Sequence, residues 1–267
     1  MKGNIYTVKH RNALRIFFAV QGALFYRELG SRISQGRTGL FWTFFEPFVQ
    51  IMIFVSIKVL IFSRSASGFD YVSFLALNFL AFNLFKNIVN KSASVFRQNK
   101  ALFVYKQVKP FDTVLARAML EIFITSILLL IFVALGYYLG HDLNVKNLNG
   151  VVAGFVWLIV FSIGLGLLNA SINAFFPNFG KLVSFLMTPL MFGSAVIYTV
   201  DATPLGFKDI LLINPLTHFM EMIHGSYFYA LDDRYVDYGY MMFWTLSVLF
   251  LGLWLYRQLE ERIITAL

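Results

Sequence analysis

The chain has 267 residues, is 58% hydrophobic and 18% aromatic, and carries a formal net charge of +8 at pH 7. Charged residues make up only 13%, about half the soluble norm, and a soluble domain of this length could not cover so much apolar surface. With no cysteine, a disulfide framework and a thiolate metal site are both excluded. The chain reads as one all-α integral membrane domain over residues 1–267.

Residues 1–39 form the first region, a basic one: Lys2, Lys9, Arg11, Arg15, Arg27, Arg32 and Arg37. No apolar run or small-residue cleavage site adjoins the first charges, so no cleaved signal is expected. Ala13 to Tyr26 is mostly apolar but too short to cross a bilayer. It is expected to lie along the cytoplasmic interface, with Phe17, Phe18, Leu24 and Phe25 on one side; a simple anchor is the alternative. The stretch from Gly30 to Thr38 invites comparison with a nucleotide P-loop. It fails, because five residues separate the glycines and Arg37 stands where lysine belongs.

Six spans follow, at 40–62, 71–97, 112–139, 151–176, 182–200 and 240–256. The second crosses from Tyr71 to about Phe85 and continues as a helix into the cytosol. The third crosses from Ile122 to Leu139, and Pro189 should kink the fifth. Segment 86–117 carries seven more basic residues. Adding Lys181, Arg257 and Arg262 puts 17 of the 22 on one side. The positive-inside rule then places both termini in the cytoplasm, so the charge reflects membrane topology rather than nucleic-acid binding. Lys58 is left inside the first span. Arg117 and Glu121, spaced i, i+4 at the start of the third, are expected to pair. Removing Arg117 alone should then harm more than removing both.

Between spans five and six, Leu211 to Gly225 reads LLINPLTHFMEMIHG. Asn214 suits an N-cap and Pro215 the first helical position, giving a helix from Pro215 to about His224, too short to span. A re-entrant hairpin over 203–225 is expected, loosened at Pro204 and Gly206; a surface-lying helix is the alternative. The Asn214 end should lie deep, with Glu221 and His224 nearer the periplasm and more accessible.

Catalytic motifs are missing: no G-x-S-x-G, no HExxH, and His218 and His224 stand six apart, so no metal site is expected. Gly136–Gly140 and Gly150–Gly154 fit close helix packing. Glu46, Lys58 and Glu221 are the conspicuous intramembrane charges. Scattered along a path, they suit transport better than catalysis.

Three segments then carry a resemblance: GLFWTFFEP at 39–47, ALFVYKQVKPFD at 101–112, and NPLTHFME at 214–221. In this order and topology they resemble the permease subunit of type-2 ABC exporters, in the capsular polysaccharide branch, over essentially the whole chain. The resemblance implies a homodimer in the bacterial inner membrane that exports a lipid-linked polysaccharide. It implies two copies of a cytoplasmic ATPase that binds ATP and Mg, no cofactor in this chain, and periplasmic or outer-membrane export components. It also implies a cytoplasmic coupling helix at about Asn99–Val108, with Pro110 setting its exit. There Leu102, Phe103 and Tyr105 offer an apolar surface framed by Lys100, Lys106 and Lys109. Lysines that only set topology would not explain the aromatics. Phe41, Trp42, Phe45, Phe48 and Lys58 on the first span, with Phe185, Phe192 and Tyr198 on the fifth, are the candidate glycan path. Asn214, Pro215, His218 and Glu221 are the candidate gating residues. The alternatives are an O-antigen, teichoic acid or glycolipid exporter of the same fold, a membrane-embedded glycolipid transferase using Glu221 or His218 as base, and a non-catalytic scaffold.

Overall fold

A computed structural model describes residues 12–34, 37–61, 68–105, 107–141 and 143–266, all helical or irregular, with no strand among them. The helices are α1 (Ala13–Ser34), α2 (Arg37–Ile61), α3 (Tyr71–Ser92), α4 (Val95–Asn99), α5 (Pro110–Leu139), α6 (Leu148–Phe175), α7 (Phe179–Phe192), α8 (Leu205–Ile213), α9 (Pro215–Tyr227) and α10 (Tyr238–Ala266). Two 3₁₀ turns, Lys100–Val104 and Val200–Ala202, punctuate them. Among the described residues, α3, α5, α6 and α10 are long and apolar enough to cross a membrane. The described apolar stretch of α2 is Phe45–Ile57.

Helix α3 is the axis of the fold. Asp70 caps it, its carboxylate accepting the N–H groups of Val72 (3.2 Å) and Ser73 (3.3 Å). Apolar side chains then cover every face, and a helix hydrophobic all round belongs inside. Phe74, Phe79, Phe82 and Phe85 are all fully buried. Around α3 stand α2, α5, α6, α7 and α9. Helix α6 is held to α3 by asparagines: Asn169 donates to Val89 O (2.9 Å) and Asn173 to Ala93 O (2.6 Å).

Small residues set the closest contacts. A Cβ on Gly252 would stand 2.7 Å from the carbonyl oxygen of Gly164, so α6 and α10 touch backbone to backbone. On the Gly150–Gly154 pair rests α9, through Ser226 and Ile223. The Gly136–Gly140 pattern does different work. Gly140, at φ 74°, is the left-handed cap of α5, and Gly136 meets Leu143 of the following loop.

Several boundaries differ from the sequence reading, three of them for a plain physical reason. Helix α5 starts at Pro110, where a missing N–H costs nothing. Helix α7 stops at Phe192 instead of continuing to Val200: Pro189 withholds one backbone donor, and the chain turns through Ala195 at φ 54°. Helix α10 runs past Tyr256 to Ala266, because Ile263 finds a buried seat.

Candidate functional site

The turn after α4 is a single 3₁₀ turn, closed by Tyr105 N–H donating to Leu102 O (3.0 Å). Val108 N–H then donates to Tyr105 O (2.9 Å), and Lys109 takes the extended conformation that a following proline requires. The Asp112 carboxylate accepts the Lys109 N–H (2.9 Å), fixing the exit into α5. With three residues per turn, successive side chains diverge by about 120°. Phe103 therefore points inward and is 7% exposed, packed among Val95, Phe96, Val114, Leu167, Tyr256 and Ile263. This corrects the expectation that Phe103 offers a docking surface. The outward apolar pair is Val104 (83% exposed) and Tyr105 (64%). Lys100 and Lys109 are exposed beside them and Leu102 is half-buried; Lys106 lies outside the described residues.

Beside this turn α1 lies along α5, and a buried charge network joins them. Arg117 Nη2 donates to Glu28 (2.7 Å) and to Gln98 Oε1 of α4 (2.8 Å). Glu121 accepts from Arg32 and stands 3.2 Å from Lys91 Nζ of α3. Gln21 donates to Asp112 O and Oδ1, both at 3.3 Å. The expected Arg117–Glu121 pair is not what forms. Glu28 and Arg32 are also four residues apart, and α1 presents them in the opposite charge order, so each α5 charge finds its opposite across the interface. Burial, and after it the charge of Arg117, pulls Arg32 down to about 10, against the opposing pull of Glu28. It remains a cation at neutral pH.

At the other end of the bundle, Asn214 joins α8 to α9. Its Oδ1 accepts the Leu216 N–H (3.1 Å), while Nδ2 donates to Gly193 O (2.7 Å) and Ser194 Oγ (2.8 Å). Glu221 accepts the Val200 N–H (2.7 Å) and stands 3.1 Å from His224 Nε2, near enough for an ion pair. His224 Nδ1 faces Asn78 Oδ1 of α3 at 3.4 Å. The Asp237 N–H donates to His218 Nδ1 (3.1 Å), leaving Nε2 to donate to Leu212 O (2.9 Å). Both side chains proposed as a base are thus already engaged with backbone groups. His224 is 0% exposed, whereas Asn214 is half-buried and Ile213 exposed.

The aromatic candidates divide. Phe41, Trp42 and Phe45 are exposed; Phe41 and Phe45 stack with centroids 4.9 Å apart, and Trp42 meets both edge-on. On α7, Phe185 and Phe192 are exposed, and Phe192 touches Phe54 of α2. Tyr198 is half-buried, donating to Phe192 O (2.5 Å). Phe48 instead turns inward and stacks on Phe132 of α5 at 4.5 Å. Lys58 sits on α2, its side chain outside the described residues. Between α2, α3 and α5 lies a cavity of about 110 Å³ lined by Glu46, Asn83, Asn87, Lys91 and Thr125 among others. Lys86 pairs with Glu46 (3.1 Å) at its rim.

Sequence reasoning missed Glu28, Lys91, Gln98 and Asn78. Arg32 and Lys91 were indistinguishable from charges that set topology, since composition does not separate a solvated lysine from a buried one.

Residues 21–228 match the ABC-2 type transporter family. The polysialic acid transport protein KpsM of Escherichia coli is 31% identical over 244 residues, 91% of this chain and 95% of that protein. The capsule polysaccharide export inner-membrane protein CtrC of Neisseria meningitidis serogroup A is 27% identical, covering 88% of each chain. The protein of the same description from Haemophilus influenzae, BexB, is 26% identical over 91% of this chain and 92% of its own.

Proposed function

The chain belongs to the ABC-2 type transporter family, and from that premise we propose that it is the permease subunit of an ATP-driven exporter of capsular polysaccharide. The observation that carries this is likeness along nine-tenths of the chain to the polysialic acid transport protein and the capsule export proteins. In this reading six spans cross the bacterial inner membrane, with α2 and α7 completing the four long apolar helices and both termini in the cytoplasm. Helices α8 and α9 form the re-entrant pair. Two copies form the working unit, each docked through Val104 and Tyr105 on one of two ATPase subunits that bind ATP and Mg. The polymer, carried on a lipid, passes along exposed rings of α2 and α7 (Phe41, Trp42, Phe45, Phe185 and Phe192) toward periplasmic and outer-membrane components. Rings stack on sugar faces while offering few hydrogen bonds to hold a moving chain.

The test is deletion of the gene in its own host. Loss of an exporter leaves polymer made but trapped, so antibody or lectin staining should find it inside permeabilised cells and missing from the surface. If no polymer is made at all, the chain acts in synthesis. Normal surface polymer would remove the export role altogether.

A further inference from the structure

Helix α10 is longer than a membrane span needs. Its 29 residues, at about 1.5 Å each, exceed a hydrocarbon core of about 30 Å by about two and a half turns. The extra turns are not a loose solvated extension. Gly252, Tyr256 and Ile263 are buried and Leu259 half-buried, while Arg257, Gln258, Glu261 and Arg262 are exposed. Buried positions recurring three and four residues apart make one continuous stripe. That stripe lands on the cluster that seats the turn after α4: Ile263 and Tyr256 share it with Val95, Phe96, Phe103 and Val114. The Tyr256 ring lies 6.0 Å from that of Phe111, at the start of α5, and its hydroxyl donates to Glu260 (2.8 Å).

We propose that the end of α10 is a strut for the ATPase-facing turn, with Tyr256, Leu259 and Ile263 as positioning residues for ATPase engagement. Short 3₁₀ turns have poor hydrogen-bond geometry and take their position from what they pack against. Here the anchor is Phe103, next in sequence to the exposed Val104 and Tyr105. Phe103 belongs to one buried cluster with residues of α4, α5, α6 and α10. Removing the Ile263 side chain leaves a void in that cluster, which lets Phe103 sink and withdraws the two exposed side chains from their docking register.

The inference rests on the docking role proposed for Val104 and Tyr105, so the experiment carries both. Variants Ile263→Ala, Ile263→Leu, Tyr256→Phe and Tyr105→Ala of the full chain are expressed with the partner ATPase. Membrane level, unfolding midpoint of the permease alone, and affinity for the ATPase are measured for each. Ile263→Ala should keep its membrane level and lose only the midpoint that a buried truncation costs, while affinity for the ATPase falls at least about tenfold. Ile263→Leu should restore most of that affinity. Tyr256→Phe, which keeps the ring and loses the hydroxyl, should match the parent. Wild-type affinity in Ile263→Ala alongside a loss in Tyr105→Ala would overturn the strut and leave docking standing. A fall in membrane level matching the fall in affinity would reduce Ile263 to general packing and also overturn it. Undiminished affinity in both alanine variants would remove the docking role itself.

Discussion

Glu121 is 1% exposed and has two basic side chains against it at once, Arg32 from α1 and Lys91 from α3. Burying a carboxylate is tolerable only with its partners in place, and removing one side of a buried pair costs about 3–5 kcal/mol. Glu121→Gln should therefore lower stability by about that much, read as the unfolding midpoint in detergent. Arg117 gives a sharper test. Its counter-charge is Glu28 at 2.7 Å, so Arg117→Ala/Glu28→Gln should be less harmful than Arg117→Ala alone. Combining Arg117→Ala with Glu121→Ala should bring no such rescue, because Glu121 is paired with Arg32 and Lys91 rather than with Arg117. A rescue by Glu121→Ala and none by Glu28→Gln would restore the i, i+4 pairing and refute the cross-helix one. This is also where the sequence is least readable. Arg117 and Glu121 fit the rule for a helical pair, and nothing in their spacing tells that α1 will lie alongside with Glu28 and Arg32 in complementary order. Local rules see one helix; buried partners are chosen by two.

Elements are more legible wherever a single residue type dictates backbone chemistry. Asn214 before Pro215 predicts the start of α9, and the Asn214 side chain does accept the Leu216 N–H. Asn214→Ala should cost more than the roughly 1 kcal/mol typical of a lost cap, because its hydrogen bonds to Gly193 and Ser194 go as well; the unfolding midpoint of the variant measures it. Element ends that depend on tertiary packing are not legible. The run of α10 to Ala266 looks unremarkable in hydropathy, since an apolar window does not say where its neighbours end. Glycines show the same split. At Gly252 a methyl group would meet a backbone oxygen at 2.7 Å, and backbone cannot rotate aside. Gly252→Ala should push α6 and α10 apart and cost about 1–3 kcal/mol. Gly30, inside α1, has nothing within 4 Å of the same added atom. Gly30→Ala should therefore stabilise, by about 0.5–1 kcal/mol. Equal effects at the two positions, measured by thermal unfolding, would contradict the close backbone contact.

For the whole molecule the question is how a small turn, in the docking role proposed for it, would commit a membrane bundle to a soluble partner. Its surface offers two kinds of contact, the apolar pair Val104 and Tyr105 and the exposed cations Lys100 and Lys109. These act on different parts of the binding reaction. Exposed charges steer encounter and are screened over about 10 Å at 0.1 M salt, so they change mainly the association rate. A large ring seated in a pocket governs dissociation. Phe103→Ala is a poor probe of either, because it empties the cluster beneath the turn, and any loss of binding could follow from a collapsed scaffold. Tyr105→Ala leaves that cluster intact. It should raise the dissociation rate, weakening Kd by about thirtyfold, the 2 kcal/mol typical of a buried interface ring. Lys100→Ala/Lys109→Ala should slow association instead, and flatten its dependence on salt while dissociation stays near the parent value. Surface-plasmon kinetics on immobilised ATPase, run from low to high salt, separate the two. If the lysine variant alters dissociation, or if Tyr105→Ala alters only the salt-sensitive association, the division of labour within the turn is wrong. The ring would then be a bystander to a contact made by charge alone.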